Sequence, residues 1–228
     1  MSSEHRHHQH QHAAPNPHDP GDATPSEFWE DFYSTDTHPW TGNPNEVLVN
    51  ALSSLSDFTG TTAADLGCGS GADAVYLAQQ GLTVTAVDIS AAALAHGRDA
   101  AQAAGVDGQI TWTQINLDDD FPSGSWDLIA SSYLHSPVEL GRASILSKAA
   151  AAVNPGGALI VIGHDGVPHW NSEAPDDFTF PSVDEVLAEL NLGDDWSLER
   201  KDLIDITIGR PEGQVVDRTD SLIVLRRR

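Results

Sequence analysis

Ala63-Ala64-Asp65-Leu66-Gly67-Cys68-Gly69-Ser70-Gly71-Ala72 is an apolar run that enters three glycines at alternate positions and leaves as a helix-forming sequence. Glycine tolerates positive φ and lets a ligand lie against bare backbone, while the helix that follows presents unpaired N–H groups. Outward from this stretch the chain alternates. Strands are expected at Thr62 to Leu66, Thr83 to Asp88, Ile110 to Gln114, Trp126 to Ser131 and Ala158 to Gly163, then at Trp196 to Ile208 and Val216 to Arg228. Helices fit Ala72 to Gln80, Ala91 to Ala104, Val138 to Val153 and Ser182 to Leu190. That order predicts an α/β fold, a doubly wound, Rossmann-like seven-stranded sheet, mostly parallel with right-handed crossovers. Gly209-Arg210-Pro211-Glu212-Gly213 reads as a hairpin turn, so the last strand should be antiparallel. In such a sheet the ligand crevice lies at the carboxyl ends of the strands, which puts Gly67, Gly69 and Gly71 on the floor of a cofactor site.

Upstream, Ser26 with Glu27 and Glu30 resembles a capped helix start, followed by Phe28, Trp29, Phe32 and Tyr33 at helical spacing. An irregular Pro/Gly/Asn-rich segment from Thr37 to Asn45 precedes a second expected helix, Asn45 to about Leu55. Residues 1–25 hold six of the eleven histidines and four of the thirteen prolines. They read as a disordered His-rich leader, either a metal-chelating tract or a tail without a role. The main domain is then expected over 26–228, with 26–58 contributing two helices and a lid.

As a pattern, Gly67 to Ala72 satisfies the dinucleotide fingerprint, and Asp88 ends the second strand where a ribose-binding acid belongs. Asp65 argues otherwise. A carboxylate just before the glycines repels a diphosphate but suits a ligand with a nearby cationic group, and no Lys or Arg lies between Ser26 and Gly97. An NAD(P)-dependent oxidoreductase therefore stands as the alternative, together with a non-catalytic binding protein.

The chain resembles the class I S-adenosylmethionine-dependent methyltransferases. The glycine motif is similar to Asp65-Leu66-Gly67-Cys68-Gly69-Ser70-Gly71, the ribose-holding strand end to Val87-Asp88-Ile89-Ser90, and the adenine-contacting position to Asn116-Leu117. Trp126 to Ser131 and Asn154-Pro155-Gly156-Gly157 resemble the fourth-strand motif and the turn before strand five. The resemblance implies S-adenosyl-L-methionine as cofactor, bound by Asp65, Gly67, Cys68, Gly69, Gly71, Asp88, Ile89, Asn116, Leu117 and Ser131. The leader with Pro39-Trp40-Thr41-Gly42 resembles small-molecule methyltransferases of the thiopurine, halide and tellurite-resistance type, where Trp40 would lie over the cofactor. The expected function is methyl transfer to a small-molecule acceptor, a thiol or other soft nucleophile among them.

His135 and His164 follow the fourth and fifth strands at the ligand-binding rim, where either could orient the acceptor or take its proton; a capping role is the alternative. Tyr133 shares that position. Cys68 is read as packing in the loop, and Asp118-Asp119-Asp120 as a solvated turn, since consecutive acids diverge in space. No metal site is expected in the main domain.

The balance of 11 Lys+Arg against 34 Asp+Glu, a formal charge of −23, opposes nucleic acid and anionic membranes as partners. It also disfavours anionic substrates on average. One cysteine, no apolar leader and no long apolar run are the reasons to expect a soluble, cytoplasmic protein.

Overall fold

The computed structural model describes residues 21–35, 42–55, 57–166, 179–209 and 215–228. Seven strands form one sheet: β1 (Thr62–Leu66), β2 (Thr83–Asp88), β3 (Ile110–Gln114), β4 (Trp126–Ser132), β5 (Val153–His164), β6 (Trp196–Gly209) and β7 (Val215–Arg227). Their order is β3-β2-β1-β4-β5-β7-β6. The first five pair in parallel, and β7 runs antiparallel between β5 and β6. The doubly wound reading and its reversed last strand are thus borne out. Most of the turn from Gly209 to Gly213 lies outside the described residues.

Helices α1 (Pro25–Tyr33), α2 (Glu46–Ser54), α3 (Ala72–Gln79), α4 (Ala91–Ala104), α5 (Arg142–Ala152) and α6 (Val183–Leu190) cover the sheet. One face packs on α2, α3 and α4 through Ala63, Val84, Ala86, Leu128, Ile160 and Leu222. The other packs on α5 and α6 through Ala64, Leu66, Ile129, Leu159, Val161 and Ile223. Because central strands are covered on both sides, β1 reads as a continuous apolar run and not as an alternation. Asp127 fastens the end of the sheet away from the glycines: its carboxylate accepts from the backbone N–H of Thr61 and Thr62 and from the Asn154 amide.

Several boundaries differ from expectation for local reasons. The cap of α1 is Thr24, not Ser26: Thr24 and Glu27 form a reciprocal capping box, and Pro25 takes the first helical position, where its missing N–H costs nothing. Helix α5 starts at Arg142 and not at Val138, because the N–H of Gly141 is held by Asp118 Oδ1 at 2.7 Å. Strand β5 begins at Val153, which pairs with Trp126, so the expected Asn154-to-Gly157 turn is built into the strand. Among the described residues, no helix is long and apolar enough to cross a membrane.

Candidate active site

The glycine stretch makes its turn where the parallel strands end. Gly67, Gly69 and Gly71 all take left-handed backbone, with φ of 71°, 51° and 77°. Each also has a neighbour where a Cβ would sit: Leu134 at 2.7 Å, the Tyr33 hydroxyl at 2.6 Å and the Trp112 ring at 2.4 Å, respectively. The loop's donors are already used internally. The N–H groups of Gly67 and Cys68 donate to Val87 O, that of Gly71 to Cys68 O, and that of Gly69 to Asp88 Oδ2 at 2.8 Å. A diphosphate needs those groups turned outward. Here they are not.

Asp88 is 7% exposed, and its other oxygen accepts from Ser90 N at 2.9 Å. Burial raises its pKa, partly opposed by those backbone hydrogen bonds. Asp65 is more extreme. It is 1% exposed, its Oδ2 has no hydrogen-bond partner, and burial pushes its carboxyl well above the usual range, with Asp73 and Asp88 adding to the push. Asp73, in the first turn of α3, is raised by burial too, although its Oδ1 accepts from Asn45 N at 2.7 Å. Two buried acids and a half-buried third beside bare backbone suit a cation. The same surroundings, burial first, hold the Cys68 thiol well above its ordinary value, so it is no nucleophile.

Helix α1 lies against this loop. Glu30 Oε2 accepts from Ser90 Oγ at 2.8 Å and from Ala92 N at 3.2 Å, which ties α1 to the start of α4. Tyr33 brings its hydroxyl over Gly69. Glu30, Tyr33 and Asp73 were not among the expected site residues; only the three-dimensional docking of α1 and α2 reveals them. Trp40 lies outside the described residues.

The other expected contacts divide. Ile89 is half-buried beside Asp88, and its carbonyl accepts from the Gln114 amide. Asn116 uses Oδ1 to accept from Asp118 N and donates to Asp119, so it braces the acidic turn while standing at the end of β3. The Leu117 side chain belongs to the core on the α5 side, which leaves only its backbone for a ligand. Ser131, next to last in β4 and on the side of that strand's end facing α5, lines a small cavity with Leu134, His135, Arg142 and His164.

The two histidines differ in what they can do. His135 Nε2 accepts from the backbone N–H of His164 at 3.0 Å, and burial, His164 and Arg142 hold its pKa down at about 3. It is a neutral, structural ring. His164 places Nδ1 2.9 Å from Asp220 Oδ1, on β7. Burial works against ionising Asp220, but hydrogen bonds from His164 and Tyr133 and the Arg218 charge outweigh it, and its pKa is lowered. Tyr133 takes φ of 54°, an uncommon conformation for a large residue. Its ring stacks on His164 at 4.4 Å between centroids, and its hydroxyl donates to Asp220 Oδ2. Asp220 and Arg218 could not be foreseen, because only the sheet order brings β7 beside the end of β5.

Known proteins can now be set beside this geometry. The methyltransferase-domain family matches residues 63–157. The ribosomal RNA small subunit methyltransferase C of Chromohalobacter salexigens is 34% identical over 140 residues, 59% of this chain and 40% of that protein. The chain thus spans about two fifths of the curated relatives it matches. Among solved structures, one from work on the conversion of a disulfide bond into a thioacetal group during echinomycin biosynthesis superposes with a TM-score of 0.65. The two are 23% identical, with 87% and 88% of the chains covered. TehB of Haemophilus influenzae gives 0.65 at 19% identity, covering 88% of this chain and 68% of that one. At these identities the likeness speaks for the fold.

Proposed function

We propose that the chain transfers a methyl group from S-adenosylmethionine to a small-molecule acceptor; the match of residues 63–157 to the methyltransferase-domain family and the seven-stranded sheet with its antiparallel β7 support this reading. The observation that carries the reading is the buried Asp65, one of whose carboxylate oxygens has no partner, beside a glycine loop whose N–H groups at Gly67, Cys68, Gly69 and Gly71 are occupied. That donor set fits a sulfonium or ammonium group and does not fit the diphosphate of a dinucleotide.

The cofactor would supply an activated methyl on a positively charged sulfur. The protein's part is then to position reactants and keep water out. Asp88 would accept from the ribose hydroxyls, held in place by Gly69 N and Ser90 N. Asp65 and Asp73 would balance the positive charge, and α1 would cover the loop through Tyr33. On the acceptor side, Asp220 accepts from His164 Nδ1–H, so the ring's lone pair falls on Nε2. An alcohol or phenol acceptor would need a base at this rim, the role the His164→Ala variant tests, whereas an acceptor that is already a thiolate needs none. His135, with Nε2 engaged and its pKa depressed, orients the loop.

The rRNA methyltransferase among the relatives raises RNA as an acceptor. The charge of −23 opposes this, since RNA affinity begins with a basic footprint. Two measurements test the reading. Calorimetric titration should show saturable S-adenosylmethionine binding and no NAD binding; the reverse would end it. An acceptor screen read by S-adenosylhomocysteine formation should find thiols or phenols. His164→Ala should lower kcat for a phenol by about 100-fold or more, as general-base loss does, and leave a thiolate acceptor nearly unaffected.

A further inference from the structure

At the end of β4, Ser131 is 1% exposed, yet its Oγ has no hydrogen-bond partner. Arg142, the first residue of α5, donates through Nη2 to Glu189 at 2.9 Å, while its Nε is buried and likewise unpartnered. Both residues line one cavity of ≈ 20 Å³, walled also by Leu134, His135, Gly163 and His164. Buried polar groups are hydrogen-bonded in the great majority of cases, so two orphaned groups on one cavity point to a ligand. No Asp or Glu lines this cavity among the described residues. In a chain with 34 acids to 11 bases, a cavity with no acid in its lining stands apart from the rest of the molecule.

The cavity's position matters as much as its charge. Leu134 forms one wall and also stands 2.7 Å from where a Gly67 Cβ would be, so the cavity abuts the cofactor loop across one side chain. His164 forms another wall. The volume exceeds the ~10–15 Å³ that one water needs and is far too small for a ring, so only the head group of a molecule would enter.

We infer that this cavity receives a carboxylate borne by the methyl acceptor, with Arg142 Nε–H and Ser131 Oγ–H as its donors. The acceptor is therefore an acid-bearing small molecule, despite the acidity of the chain as a whole. Glu189 positions the guanidinium, and His135, kept neutral, forms a wall without competing for the anion. The identity of the ligand as acceptor rests on the methyl-transfer reading, whereas the carboxylate site itself does not.

Benzoate, benzamide and inorganic phosphate serve as probes. They are titrated into the full chain, with and without S-adenosylhomocysteine, while the Arg142 Nε–H resonance is followed by NMR. Benzoate should shift that resonance and benzamide should not. Benzoate affinity, read by calorimetry in the variants because Arg142→Met lacks the reporter N–H, should fall about tenfold or more in Arg142→Met and about threefold in Ser131→Ala, as expected for loss of a charge-assisted and of a neutral donor. Ser131→Ala removes one small atom, so it reports even if the arginine variant does not fold. Equal responses to benzoate and benzamide, tighter binding of phosphate, or unchanged affinity in Ser131→Ala and in folded Arg142→Met would overturn the inference. S-adenosylmethionine titration separates the two readings. If the cofactor binds and benzoate does not shift the resonance, the carboxylate site fails alone. If the cofactor does not bind, methyl transfer fails and the benzoate result still judges the cavity.

Discussion

Replacing Asp65 by Asn removes a buried carboxylate that burial, Asp73 and Asp88 all drive toward its protonated form. Its folded pKa lies above the unfolded value, so the native state binds the extra proton. The stability this provides is complete below the ordinary carboxylate range and is lost as pH rises through the folded pKa. Asp65→Asn should therefore melt at a higher temperature than the parent near pH 7, with the gap closing toward pH 4, while cofactor affinity falls. Parallel thermal melts across that range check the sign, and identical curves at every pH would refute it. Asp88 behaves differently, because its oxygens also hold Gly69 N and Ser90 N. Asp88→Ala should weaken S-adenosylmethionine binding by about thirtyfold, the ~2 kcal/mol of a lost charged hydrogen-bond acceptor, as read by calorimetry.

At the scale of elements, α1 is held from its middle to two neighbours. Glu30 binds the start of α4, and Trp29 Nε1 donates to Ser136 Oγ beyond β4 at 3.2 Å. Glu30→Ala should weaken cofactor affinity by about tenfold, or ~1.4 kcal/mol, with the urea midpoint little changed, because α1 is joined to the core through few elements. Helices α3 and α4 approach each other over Trp112, whose ring lies 2.4 Å from the place of a Gly97 Cβ. Gly97→Ala should cost about 1–3 kcal/mol by overpacking, measured by urea unfolding. These contacts also explain what sequence alone discloses. The strands and α4 are legible because apolar runs and helical periodicity are local signals. The start of α5 is not, since it depends on Asp118 taking the Gly141 N–H from another turn. Asp220 is hidden for the same reason: its partner Tyr133 lies 87 positions away, and no spacing rule joins them. The glycine loop and Asp88, built on consecutive elements, carry local signals; Glu30, Tyr33, Asp73 and Asp220, brought in from elsewhere in the fold, do not.

Across the whole molecule, a charge of −23 makes the folded chain repel itself. Raising NaCl from low to about half molar shortens the screening length severalfold, so the melting temperature should rise with salt, followed by differential scanning fluorimetry. A fluorescent RNA oligonucleotide should show no anisotropy change at physiological salt. The sheet order carries one more consequence. Strand β7 follows the other six in sequence, yet it lies between β5 and β6 and supplies Asp220 and Ser221 to the acceptor side. During translation, the half with the glycine loop, proposed to hold the cofactor, can be assembled while β7 is still inside the ribosomal tunnel, but the half that would admit an acceptor cannot. A nascent chain halted before β7 would have an open seam beside β5, so the capacity to hold a methyl donor should arise before the capacity to use one.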